Sequence, residues 1–102
     1  MSYEIFAEDD GVIRLFSSLA NPIRATIIWR LTEGSADVSE LTEILQVSQP
    51  LVSGHLAILR KAHLIEAKRV GRRMEYSLID EHVAHIFKDA YTHMKEHDHC
   101  EH

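Results

Sequence analysis

Apolar residues recur along most of this chain at helical spacing, and polar caps cut the pattern into segments. Val12, Ile13, Leu15, Phe16 and Leu19 predict a first helix over about 9–19. Asn21 followed by Pro22 marks the next start, because asparagine caps free amides and proline suits the first helical position. Ile23, Ile27, Ile28 and Leu31 then supply a buried stripe, and Gly34 ends the segment. Asp37, with Glu40 three residues on, forms a capping box for a short third helix reaching about Leu45. Gln46-Val47 makes a tight turn.

Ser48 caps a fourth helix that tolerates Pro50 in its first turn. Its inward positions are Val52, Leu56 and Leu59, while the outward ones (Gln49, Ser53, Gly54, Ala57 and Arg60) are small or polar. Such a face can enter a DNA major groove. Gly54 costs roughly 1 kcal/mol against alanine in a helix interior; close backbone approach would account for it, and so would simple tolerance. Ile65–Val70 and Met74–Leu78 predict two strands around Gly71-Arg72-Arg73, a hairpin whose arginine tip suits phosphate or minor-groove contact. Asp80 caps a last helix with an apolar seam of Val83, Ile86, Phe87, Ala90 and Met94, more than one helix end needs and suited to an antiparallel helix pair. The polar residues from about 98 to 102 read as a mobile tail. The pattern as a whole predicts a single domain over 1–102, mainly α with a small β-hairpin wing: a winged helix-turn-helix.

Composition narrows the class. The chain has 102 residues, 45% of them hydrophobic, enough for one core. It shows no long apolar run, signal peptide or lipidation motif, so the expectation is a soluble cytoplasmic protein with no membrane partner. The lone Cys100 cannot form an intrachain disulfide, which fits a reducing compartment. A net charge of −5 argues at first against nucleic acid, but its distribution argues for it. Arg60, Lys61, Lys68, Arg69, Arg72 and Arg73 are opposed in their stretch only by Glu66. A local basic stripe can bind phosphate on an acidic protein. Gln49, Ser53 and His55 are therefore candidates for base edges of double-stranded operator DNA, and Arg60, Lys68, Arg72 and Arg73 for its phosphates.

The histidines add a second chemistry. His82 and His93 stand eleven residues apart on the last helix, with Asp80 beside one and Glu96 and His97 beside the other. Eleven residues return to within about 20° of the same face, roughly 16 Å further along the axis. Two donors so far apart cannot share one ion. An antiparallel partner helix would set Asp80 and His82 of one chain beside His93 and Glu96 of the other, giving two equivalent sites in a homodimer.

These segments resemble the ArsR/SmtB family of bacterial metal-sensing repressors. The likeness lies in Leu19-Ala20-Asn21-Pro22-Ile23-Arg24, in Val47-Ser48-Gln49-Pro50-Leu51-Val52-Ser53-Gly54-His55-Leu56, in the wing Gly71-Arg72-Arg73-Met74-Glu75-Tyr76-Ser77-Leu78, and in the last helix. It implies a fourth helix that reads the major groove and a homodimer formed through the first and last helices. One branch of the family binds metal through cysteines on the third helix, and Val38–Leu45 here contains none. The other branch uses Asp-x-His, ten residues, then His-x-x-Glu or His, which Asp80, His82, His93 and Glu96 match, with His97 an alternative fourth ligand.

Two imidazoles and two carboxylates suit Zn(II), with Co(II) able to substitute. A six-ligand Ni(II) or Co(II) sensor would need further donors, for which His85, His97, His99 and His102 are available. The resemblance implies a repressor whose metal-free dimer holds its operator and whose zinc-bound form releases it, derepressing efflux or homeostasis genes. It also implies that a ligand histidine hydrogen-bonds back to the backbone near His63, coupling metal to the reading helix. No His-Glu-x-x-His pair and no general base beyond these ligands is present, so no enzyme is expected. The competing reading is a winged-helix regulator that does not sense metal.

Overall fold

Local capping decides where the helices begin. A computed structural model describes residues 3–98 and shows α1 (Gly11–Leu19), α2 (Pro22–Leu31), β1 (Ala36–Asp37), α3 (Val38–Leu45), α4 (Gln49–Lys61), β2 (Ile65–Val70), β3 (Arg73–Leu78) and α5 (Glu81–Asp98). Asp10 Oδ1 accepts from the Val12 amide, so α1 starts two residues later than the apolar pattern suggests. Asn21 Oδ1 accepts from both the Ile23 and Arg24 amides, at 2.9 and 3.1 Å. Asp37 and Glu40 make the reciprocal capping box, at 2.8 and 2.9 Å. Asp80 Oδ1 accepts from the His82 amide at 2.9 Å, opening α5. Each such cap contributes about 1 kcal/mol.

The inward stripes meet in one core. Ile27, Ile28 and Leu31 of α2 pack with Leu41 of α3 and with Val52, Leu56 and Leu59 of α4, all at most 3% exposed. Leu64, Ile65 and Val83 close it from the wing and from α5. Truncating such a residue, Leu56→Ala for instance, costs about 2–5 kcal/mol.

Three features of the strands and turns depart from the sequence expectation. Ala36–Asp37 forms a third strand, giving the antiparallel order β1-β3-β2 with Ala36 opposite Tyr76 and Asp37 opposite Glu75. Two residues carry no alternation to reveal a strand. The hairpin is also tighter: Val70 pairs with Arg73, leaving Gly71-Arg72 as a two-residue loop. Gly71 supplies the positive φ of 64° that the first central position of such a loop needs. Arg73 is thus a strand residue rather than a loop residue. Gly34, expected to end α2, lies beyond the Thr32 cap, in the turn leading to β1.

One apolar face stays open. Val12 and Phe16 of α1 are 49% and 58% exposed, and Met94 of α5 is 54% exposed, so the expected seam is covered only at its Val83–Phe87 end. No helix among the described residues is long and apolar enough to cross a membrane. The expected mobile tail, with His99, Cys100 and His102, lies outside the described residues apart from Asp98, which ends α5.

Candidate nucleic-acid interface and metal site

α4 presents the outward face that its sequence predicts. Gln49, Ser53, Gly54, Ala57 and Arg60 are all exposed, opposite buried Val52, Leu56 and Leu59. His55 differs from the other base-edge candidates because it is only part-exposed and engaged. Arg24 Nη1 lies 3.1 Å from His55 Nδ1, while Arg24 Nε donates to the Ser18 carbonyl at 2.7 Å. Arginine has donors only, so Nδ1 must accept, and the ring carries its proton on Nε2. Burial, and then the Arg24 charge, lower the His55 pKa from its ordinary value. Sequence reasoning missed this link, since nothing local ties position 24 to position 55.

The C-terminus of α4 is closed by a left-handed residue, His63, with φ 62°. His63 N–H donates to the Arg60 carbonyl and Leu64 N–H to the Leu59 carbonyl, both at 3.0 Å. This is the Schellman arrangement, with buried Leu59 and Leu64 making its apolar contact. It sets the angle at which the chain leaves the reading helix for the wing.

The basic candidates divide into two kinds. Arg60, Lys68, Arg72 and Arg73 are all exposed, and the first three make no ion pair among the described residues. Arg73 is bound at both ends of its guanidinium, Nη1 to Asp37 Oδ2 at 3.3 Å and Nη2 to Glu75 Oε2 at 3.2 Å.

On α5 the metal-ligand candidates form two clusters. Asp80 Oδ1 lies 3.4 Å from His82 Nδ1, and both side chains are exposed, at 53% and 88%. Toward the other end, the His93 and His97 rings lie 4.5 Å apart between centroids, with Glu96 exposed beside them. Among the described residues no three His, Cys, Asp or Glu groups come together to hold a metal. The chemistry of the donors still fits zinc: imidazole and carboxylate together, on a rigid helix, half of a four-donor set at each end. α5 is tied back to the domain by Trp29, whose ring centroid lies 4.4 Å from that of Tyr91 and 5.7 Å from that of Phe87.

Comparison with known proteins follows the same lines. Residues 21–67 match the family described as bacterial regulatory protein, arsR family. The HTH-type transcriptional regulator NmtR of Mycobacterium tuberculosis is 38% identical over 82 residues, which are 80% of this chain and 68% of that protein. The chain belongs to the ArsR family. Within that family, the HTH-type transcriptional repressor SmtB of Mycobacterium tuberculosis is 44% identical over 87 residues, 85% of this chain. The match spans 64% of that repressor's own length. Among solved structures, the homodimeric winged helix-turn-helix DNA-binding domain of Mb0332 from Mycobacterium bovis superimposes with a TM-score of 0.85. It is 30% identical and covers 91% of this chain and 86% of that one. These ArsR-family relatives are regulators of transcription by name and not enzymes.

Proposed function

We propose that this ArsR-family protein is a cytoplasmic, homodimeric transcriptional repressor that releases operator DNA when zinc joins the α5 helices of its two protomers. The observation that carries this reading is the division of donors on α5. Asp80 and His82 stand at one end of α5, His93 and Glu96 toward the other, alongside an apolar face that the described residues leave half exposed at Val12, Phe16 and Met94. A second α5 running antiparallel covers that face and completes both donor sets at once. Bound zinc supplies a cross-link between two helices that are otherwise held by apolar contact alone.

In the metal-free dimer, two α4 helices reach successive major grooves about one DNA turn apart. Gln49 and Ser53 offer side-chain hydrogen bonds to base edges, and His55 offers only its Nε2–H. Arg60, Lys68 and Arg72 meet phosphates. When Asp80, His82, His93 and Glu96 are gathered at the interface, the α5 pair takes a fixed pose that no longer suits the groove spacing. A ligand histidine turns its second ring N–H to the backbone near His63, where the left-handed turn ends the reading helix. By linkage, DNA weakens metal binding by the same factor, typically about 1–3 kcal/mol. His97, its ring 4.5 Å from that of His93, can replace Glu96, and that arrangement would favour nickel or cobalt.

The test uses DNA selected by the metal-free protein from a random pool. Nanomolar-range binding that zinc abolishes in the wild type, but not in His82→Ala or His93→Ala, is the expected result. Selected DNA that stays bound at saturating zinc would contradict the sensor reading. Failure to select any sequence would contradict the repressor reading itself.

A further inference from the structure

The wing is joined to the rest of the domain by a closed circuit of polar contacts. Arg73 Nη1 meets Asp37 Oδ2 at 3.3 Å. Asp37 and Glu40 exchange their capping-box hydrogen bonds at 2.8 and 2.9 Å. Glu40 Oε2 lies 3.9 Å from Arg30 Nη2. Arg30, on α2, donates to the Gly34 carbonyl at 3.0 Å and to the Ser35 carbonyl at 3.4 Å. Ser35 Oγ donates to Glu75 Oε1 at 3.1 Å, and Glu75 Oε2 returns to Arg73 Nη2 at 3.2 Å. The circuit passes through α2, the turn after it, the cap of α3 and the third strand, and both of its ends meet on one guanidinium.

Its logic is electrostatic. Asp37 and Glu75 stand directly opposite each other across the β1–β3 pair, where like charges repel. Arg73 meets both, one through each terminal nitrogen of its planar guanidinium. Each exposed pair is weak in water, and the Arg73 side chain is 60% exposed, but contact with two carboxylates fixes its guanidinium and offsets its charge.

We infer that Arg73 is a positioning residue that fixes the pose of the wing for DNA binding and is not itself a phosphate contact. The inference rests on the reading that the wing meets DNA. A cation already paired with two carboxylates displaces few counterions from phosphate, so it adds little to the salt dependence of binding. Arg72, unpaired at the hairpin tip, does add to it. The charge at Glu75 then has an effect opposite in sign to simple electrostatics. Removing an anion from the DNA side of a protein should tighten binding; opening the circuit should weaken it.

The experiment measures affinity for selected DNA against salt concentration in Arg72→Ala, Arg73→Ala, Arg73→Lys and Glu75→Gln, with thermal melts to establish folding. Arg72→Ala should reduce the salt slope by about one per protomer. Arg73→Ala and Glu75→Gln should each weaken binding by about three- to tenfold at every salt concentration, leaving the slope unchanged. Arg73→Lys should restore affinity only in part, since a shorter side chain ending in one nitrogen holds the two carboxylates less rigidly than the guanidinium fork. A salt slope reduced by about one per protomer in Arg73→Ala, or tighter binding in Glu75→Gln, would overturn the inference. Glu75→Gln decides the sign even if Arg73→Ala does not fold. An unchanged slope in Arg72→Ala would instead contradict the wing contact, and the inference would fall with it.

Discussion

His55 stands on the reading helix yet is held from within the protein. Its lowered pKa comes from burial and then from Arg24, so the unfolded chain takes up a proton that the folded chain resists. Stability therefore rises with pH between the lowered value and the ordinary 6.5, and is lost as the pH falls through that window. Chemical denaturation at pH 7.5 and pH 5.5 should show the wild type losing more stability on acidification than His55→Asn; equal losses would exclude His55 as a source. Gly54 is the second informative residue. A Cβ built there meets nothing within 4 Å, so the protein's own packing does not demand glycine. Gly54→Ala should raise stability by about 0.5–1 kcal/mol while weakening DNA binding, the two effects read by melting and by titration. Unchanged affinity would mean that α4 does not approach DNA closely at this point.

At the scale of elements, the open face of α1 and α5 is where the proposed function places the dimer contact. Val12, Phe16 and Met94 are each about half exposed in the single chain, and a homodimeric relative shares the fold. Phe16→Asp should yield a folded monomer by sedimentation, with its circular dichroism intact, because Phe16 lies outside the buried core. A dimer that persists in Phe16→Asp would move the interface elsewhere. Helix starts were legible in the sequence because caps are local: Asn21, Asp37, Ser48 and Asp80 each act within a few residues. The α4 stripe was legible because burial follows helical period. What escaped was long-range. Ala36–Asp37 became a strand only because β3 lies beside it, and the contact of Arg73 with Asp37, 36 residues earlier, has no local signal. The two pairs of donor candidates on α5 were equally legible, as spacing; whether they make a site depends on a second chain, which one protomer cannot display.

At the scale of the whole molecule, an acidic protein of net charge −5 carries a basic stripe on one side and carboxylate–imidazole donors on its last helix. On the proposed function, metal and DNA compete through the shape of the dimer rather than for the same atoms. The most direct measurement is a cobalt(II) titration of the metal-free protein, followed by visible absorption, in wild type and His93→Ala. Intense bands that saturate at one ion per chain, vanish in His93→Ala and are displaced by zinc are the predicted result. Weak bands at that stoichiometry would contradict a four-coordinate zinc site and point to nickel or cobalt with added histidines. Absence of saturable binding would contradict metal sensing by α5 altogether.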